Sequence, residues 1–189
     1  MDLKLSWDLF ILVFFVIISS YSLIIGKNNT IKVLLGSYVA LVAADAIGGL
    51  VSHYFMGTQM FVAVAREAQM PGDEEAVIFL KVLVFVLMVI LFAVRGAFVV
   101  DTHRGNSVAS FMLHLVYSVL SAGLIISTIL VLISGVSVIG GGGTVSEALT
   151  SLTDQSFLVK NMVYYHKVWF AAPALVFLLH SFVGDRLES

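Results

Sequence analysis

The chain has 189 residues, 60% apolar and only 12% charged, and its mean hydropathy is +1.05. A soluble domain is about 45–50% apolar and about 25% charged, so this composition excludes both disorder and an ordinary soluble core and points to lipid as the main solvent. Ten Lys and Arg against twelve Asp and Glu give a formal net charge of −2, which argues against nucleic-acid binding, and the lack of Cys excludes disulfides, thiolate metal sites and cysteine nucleophiles.

The first apolar run, residues 7–25, follows Lys4 and ends at Gly26-Lys27-Asn28-Asn29. About 20 apolar residues match a hydrocarbon core of about 30 Å. Bulky Tyr21, Leu23, Ile24 and Ile25 close the run where a cleaved signal would carry small residues, so an uncleaved anchor helix is expected. A second helix is expected over 31–51, interrupted by Asp45. Within it Gly36, Ala40, Ala44, Gly48 and Ser52 recur every fourth residue, which on a helix makes one strip of small side chains. In lipid, close backbone approach along such a strip drives helix association, so the strip is the expected packing face and the best evidence in the sequence for oligomerisation or partner binding.

Residues 53–69 mix Tyr54, Phe55, Met56 and Phe61 with Gln59, Arg66 and Glu67. Either the second helix runs on beyond the bilayer, or Gly57 breaks it and an amphipathic segment lies at the interface. Pro71-Gly72 stops the chain, and Asp73-Glu74-Glu75 suits the start of a helix, where carboxylates cap and favour the dipole. A third span over 74–100 then carries Lys81 and Arg95, and 101–106 is a short turn. The fourth span, 108–134, has Ser107, Ser110, His114, Ser118 and Ser121 on or leading into one side. Gly140–Gly143 reads as a spacer and 144–153 as a short helix or loop. Lys160, His166, Lys167 and Pro173 interrupt the last run, where a helix over 163–183 makes a fifth crossing. The expected architecture is an all-α polytopic transmembrane bundle with four to five spans and an interfacial amphipathic segment, in one integral membrane domain. Lys27, Lys32, Arg104 and Arg186 lie inside if the N-terminus is outside, a weak positive-inside vote for that orientation.

A charge at the centre of a membrane helix costs about 2.5–3.5 kcal/mol on insertion scales, so each one needs a partner or a route to water. Asp45 sits about 9 Å from the far end of the second helix and Lys81 about 6 Å from the same surface, so the two can face each other. They read either as a structural pair fixing the second helix to the third or as an ion or proton site. Arg95 and His114 lie toward the opposite surface; Arg95 suits snorkelling, and His114 suits either interhelical hydrogen bonds or a polar crevice. His114 and His180 are also the minimum pair for axial ligation of a b-type haem. His53, His103 and His166 read as interfacial. No HExxH, GxSxG or GxxxxGK[ST] motif occurs, Gly140–Gly143 has no following Lys-Ser/Thr, and Asn28-Asn29-Thr30 fits the glycosylation pattern by chance.

The order of Asp8 opening an apolar helix, Gly26-Lys27 in a basic turn, a small-residue helix with Gly36, a helix bearing Lys81 and Arg95, an Arg104-Gly105 turn and a further apolar helix resembles the colicin V production protein (CvpA-like) family. The resemblance covers about residues 8–135. It implies a bacterial inner-membrane protein connected with secretion or envelope function, with no catalytic residues to carry over. The favoured expectation is a non-enzymatic membrane protein without cofactor or metal, whose partners are the lipid bilayer and a homo-oligomer or larger membrane complex. The alternatives are a small ion or proton channel using Asp45, Lys81 and His114, and a haem-binding redox subunit.

Overall fold

A computed structural model of the chain describes residues 7–70, 72–95, 107–135, 153 and 156–186. Among these residues the structure is all helical: α1 Trp7–Ile25, α2 Lys27–Tyr54, α3 Gln59–Glu67, α4 Asp73–Arg95, α5 Ser107–Ile133, α6 Phe157–Tyr164 and α7 His166–Arg186. Four of them, α1, α2, α4 and α5, are long and apolar enough to cross a membrane; α6 and α7 together make a fifth candidate, bent by 59°.

Helix boundaries follow the backbone more closely than the apolar runs do. Gly26 turns the chain at φ +86°, and Thr30 N–H already donates to Gly26 O at 2.9 Å, so α2 starts four residues before its apolar run. The Asn28-Asn29-Thr30 triplet therefore lies in the first turns of a helix. At its other end α2 runs through Ser52 to Tyr54. Gly57, at φ +78°, then breaks the path, and the Thr58 hydroxyl accepts from Phe61 N–H to start α3. Of the two expectations for 53–69, the separate amphipathic helix is the one formed. The last run is two helices where one was expected. The Ser156 hydroxyl caps α6 by accepting from Val159 N–H, and α6 ends at Tyr164, with Tyr165 as its C-cap, before the chain changes direction into α7. The stretch 96–100, the 101–106 turn and the glycines at 140–143 lie outside the described residues, as does all of 144–152.

α5 is the hub. It packs against α1, α2, α4, α6 and α7, and 72% of its span is buried, against 11% for α1 and 17% for α4. An apolar sequence on all sides suits a helix surrounded by others. Ile31 and Leu34 of α2 pack with Tyr117 and Leu124, while Leu41 and Ala44 pack with Ile125 and Leu132. α2 and α5 therefore run in the same direction, and α4 returns between them with Phe85 wholly buried in the shared core. Ile11 on α1, Ile126 and Leu130 on α5, and Val159 on α6 close a second core toward the start of α1. The starts of α1, α4 and α6, the ends of α2 and α5, and all of α3 thus gather at one end of the bundle.

Candidate functional site

The small-residue strip of α2 faces the chain's own α4. Gly36, Ala40, Ala44 and Gly48 are buried, and only Ser52, one turn further on, is exposed, where its hydroxyl donates to Met56 Sδ at 3.7 Å. A Cβ at Gly36 would stand 2.6 Å from Cβ and Cγ of Phe92, and one at Gly48 would overlap the stem of Lys81. Close approach along the strip is therefore real, but an intramolecular neighbour takes it up.

That approach positions the charge pair. Asp45 lies three residues before Gly48 on the buried side of α2, and Lys81 crosses the space that a side chain at 48 would fill. Lys81 Nζ donates to Asp45 Oδ1 at 2.8 Å, with the two residues 7% and 3% exposed. Removing either partner would leave a charge in a low-dielectric surround, whereas together they form a net-neutral unit. Arg95, at the far end of α4, is exposed and stands apart from this pair.

His114 is used elsewhere. The last four carbonyls of α1 have no intrahelical donor. Ser22 O, the first of them, receives both Thr30 Oγ1–H at 2.7 Å and the His114 ring at 3.1 Å. A carbonyl only accepts, so His114 Nε2 carries the proton in this contact. His114 thereby ties α5 to the end of α1, and Asn29 Nδ2 donates to Ile25 O in the same turn. His180 on α7 pairs with Tyr117 Oη through Nδ1 at 3.2 Å. The two histidines weighed as haem ligands each have a partner of their own, on different helices. Among the described residues no group of three or more His, Asp or Glu is placed to hold a metal ion.

Two arrangements have no signal in sequence spacing. Asp8, in the first turn of α1, accepts from Ser156 Oγ at 2.6 Å and from Leu158 N–H at 2.8 Å, so it caps α6 from about 150 residues away. Gly123 on α5 admits the Trp169 ring of α7, which a Cβ there would overlap. The sequence marks Asp8 only as the acid that opens the first apolar helix, and nothing in the spacing singles out Gly123. Along α5, Ser118 and Thr128 donate to carbonyls four residues back, at 2.9 and 2.7 Å. Among the described residues, the buried hydroxyls of Ser19, Ser121 and Ser127 have no hydrogen-bond partner.

Comparison of the chain with family models, curated proteins and solved structures finds no match.

Proposed function

We propose that this chain is a non-enzymatic, multi-pass integral membrane protein that works by helix contacts with other membrane components. One observation carries the reading: the interior polar groups are largely paired within the chain, while α1 and α4 keep most of their span surface outside the bundle. Buried pairing of this kind holds helices in place, and uncovered apolar spans are the surface a membrane partner or lipid can meet. Because α4 covers the strip from Gly36 to Gly48, the contact face for a homo-oligomer or complex moves to the outer sides of α1 and α4. The resemblance to the colicin V production family adds the bacterial inner membrane and an envelope or secretion role. The orientation with the N-terminus outside goes with this reading.

Photo-crosslinkers placed at Val16 on α1 and Leu87 on α4, both about half exposed, test it in native membranes. Discrete protein adducts from either position are expected. Adducts to lipid alone at both would overturn the contact reading.

A second reading, a small channel or transporter, draws on the buried hydroxyls of Ser19, Ser121 and Ser127, which have no partner among the described residues, since buried unsatisfied groups commonly hold water. It expects ion flux in liposomes that Asp45→Asn abolishes without loss of fold. Purified protein that carries no flux at any pH ends this reading.

A further inference from the structure

Pro173 stands inside α7 and is wholly buried. A proline has no N–H for the carbonyl four residues back, here Trp169 O, and its ring crowds that carbonyl, so the helix ladder is weakened at this turn. In a regular helix the next rung joins Phe170 O to Ala174 N–H, and here both groups meet a side chain from another helix. The Tyr38 hydroxyl of α2 donates to Phe170 O at 2.6 Å, and the Ala174 amide hydrogen-bonds the same hydroxyl oxygen. A side chain inserted into the ladder in this way lets a helix change direction.

The two sides of Pro173 are held differently. Before it, Trp169 fills the space beside Gly123 and meets the Phe15 ring edge-on at 6.4 Å, while Phe170 packs against two of the apolar cores. These contacts reach the middle of α1 and fix residues 166–172 to the bundle. Beyond Pro173, Val176 and Phe177 lie partly buried over Ile31, Leu34, Tyr117 and Leu124. Leu175, Leu178 and Leu179 on the same stretch are exposed. Tyr117 Oη and His180 Nδ1, 3.2 Å apart, tie this half of α7 to α5.

We infer that α7 from Ala174 onward is a lid over the seam between α2 and α5, hinged at Pro173 and set by Tyr38. The backbone groups at the hinge have two complete sets of hydrogen bonds. In the one found here, the Tyr38 hydroxyl accepts from Ala174 N–H and donates to Phe170 O. In the other, Tyr38 turns away and Ala174 N–H donates to Phe170 O directly. Neither set leaves an amide or carbonyl of this rung bare, which is the condition a helix in lipid must meet. The turn is longer with a hydroxyl in it, so passing between the two sets swings the lid as one body while residues 166–172 stay in place. The swing breaks the Tyr117–His180 contact and uncovers Tyr117, which is wholly buried beneath the lid. This device depends on hydrogen bonds within the chain, whatever the outer faces of α1 and α4 meet.

The chain has no cysteine, so introduced Cys pairs carry the only spin labels. The full-length protein in lipid nanodiscs is labelled at Leu179→Cys on the lid or at Val168→Cys before the hinge, each paired with Leu91→Cys on α4; all three positions are exposed. Pulsed dipolar spin resonance measures both distances with Tyr38 intact and with Tyr38→Phe, and repeats them on a Pro173→Ala background. Removing the hydroxyl should move the distance from Leu179 to Leu91 by several ångströms and leave that from Val168 to Leu91 unchanged. Pro173→Ala restores the N–H to Trp169 O and stiffens the turn, so on that background Tyr38→Phe should shift the lid several-fold less. An unmoved lid, a shift of both distances together, or an equal shift on the Pro173→Ala background would each overturn the hinge. None of these results bears on crosslinking from α1 and α4, so the two readings fail separately.

Discussion

Lys81 reaches Asp45 by lying across Gly48, in the space a Cβ at position 48 would occupy. The absent side chain and the ion pair are one feature, because α2 and α4 come close enough for a 2.8 Å contact only where α2 presents hydrogen in place of a methyl. Asp45 and Lys81 start from different helices with 35 residues between them, yet they are buried against each other as a neutral unit.

Breaking that unit from one side should cost more than replacing it whole. Lys81→Met leaves the Asp45 carboxylate without its cation and is expected to destabilise the bundle by about 3 kcal/mol, whereas Asp45→Leu with Lys81→Met together should recover most of the loss. Reversible unfolding in mixed micelles, run as a double-mutant cycle, measures the coupling. Equal losses in the single and double variants would show that the pair does not hold the helices.

Two glycines on α2 should respond in opposite directions. Gly36→Ala drives a methyl against Phe92 and is expected to lower stability by about 1–3 kcal/mol. Gly49 has nothing within 4 Å of the position a Cβ would take, so Gly49→Ala should be neutral or stabilise by up to about 1 kcal/mol through helix propensity. Thermal midpoints of the two variants side by side settle the direction.

Asp8→Ala removes the acceptor for both Ser156 Oγ and the Leu158 amide. Loss of a cap of this kind costs about 1 kcal/mol. Ser156 still caps α6 through Val159 N–H, which limits the loss. Hydrogen exchange should quicken at the Leu158 amide and stay unchanged in α2 and α4.

For His114→Ala a small effect is expected, about 0.6 kcal/mol, the average for interhelical hydrogen bonds in membranes. Thr30 Oγ1 continues to satisfy Ser22 O, which limits the loss. If the channel reading held, the same variant would change ion flux by much more than it changes stability, so both are measured on one preparation.

Much of this arrangement is legible in the residues. The four long apolar runs correspond to α1, α2, α4 and α5, because about 20 apolar residues in a row have one stable form in lipid. Equal depth from the same surface is enough to suggest that Asp45 and Lys81 face each other. Gly57 is visible as a break because a positive φ is strained for other residues. The bend at Tyr165 is less visible. His166, Lys167 and Pro173 interrupt the hydropathy without saying where the helix axis turns.

Which surface meets which is a different kind of information. Composition and the order of apolar runs determine the helical class, the four helices long and apolar enough to cross a membrane, and the position of each charge along them, since those depend on transfer energies that are nearly local. Tertiary structure decides that the strip from Gly36 to Gly48 meets α4 of the same chain, that His114 closes the end of α1, and that Asp8 caps a helix beginning near residue 157. In lipid all apolar faces are nearly equivalent by transfer energy, so the choice among them falls to shape and to the few hydrogen bonds available, and both are properties of two surfaces at once.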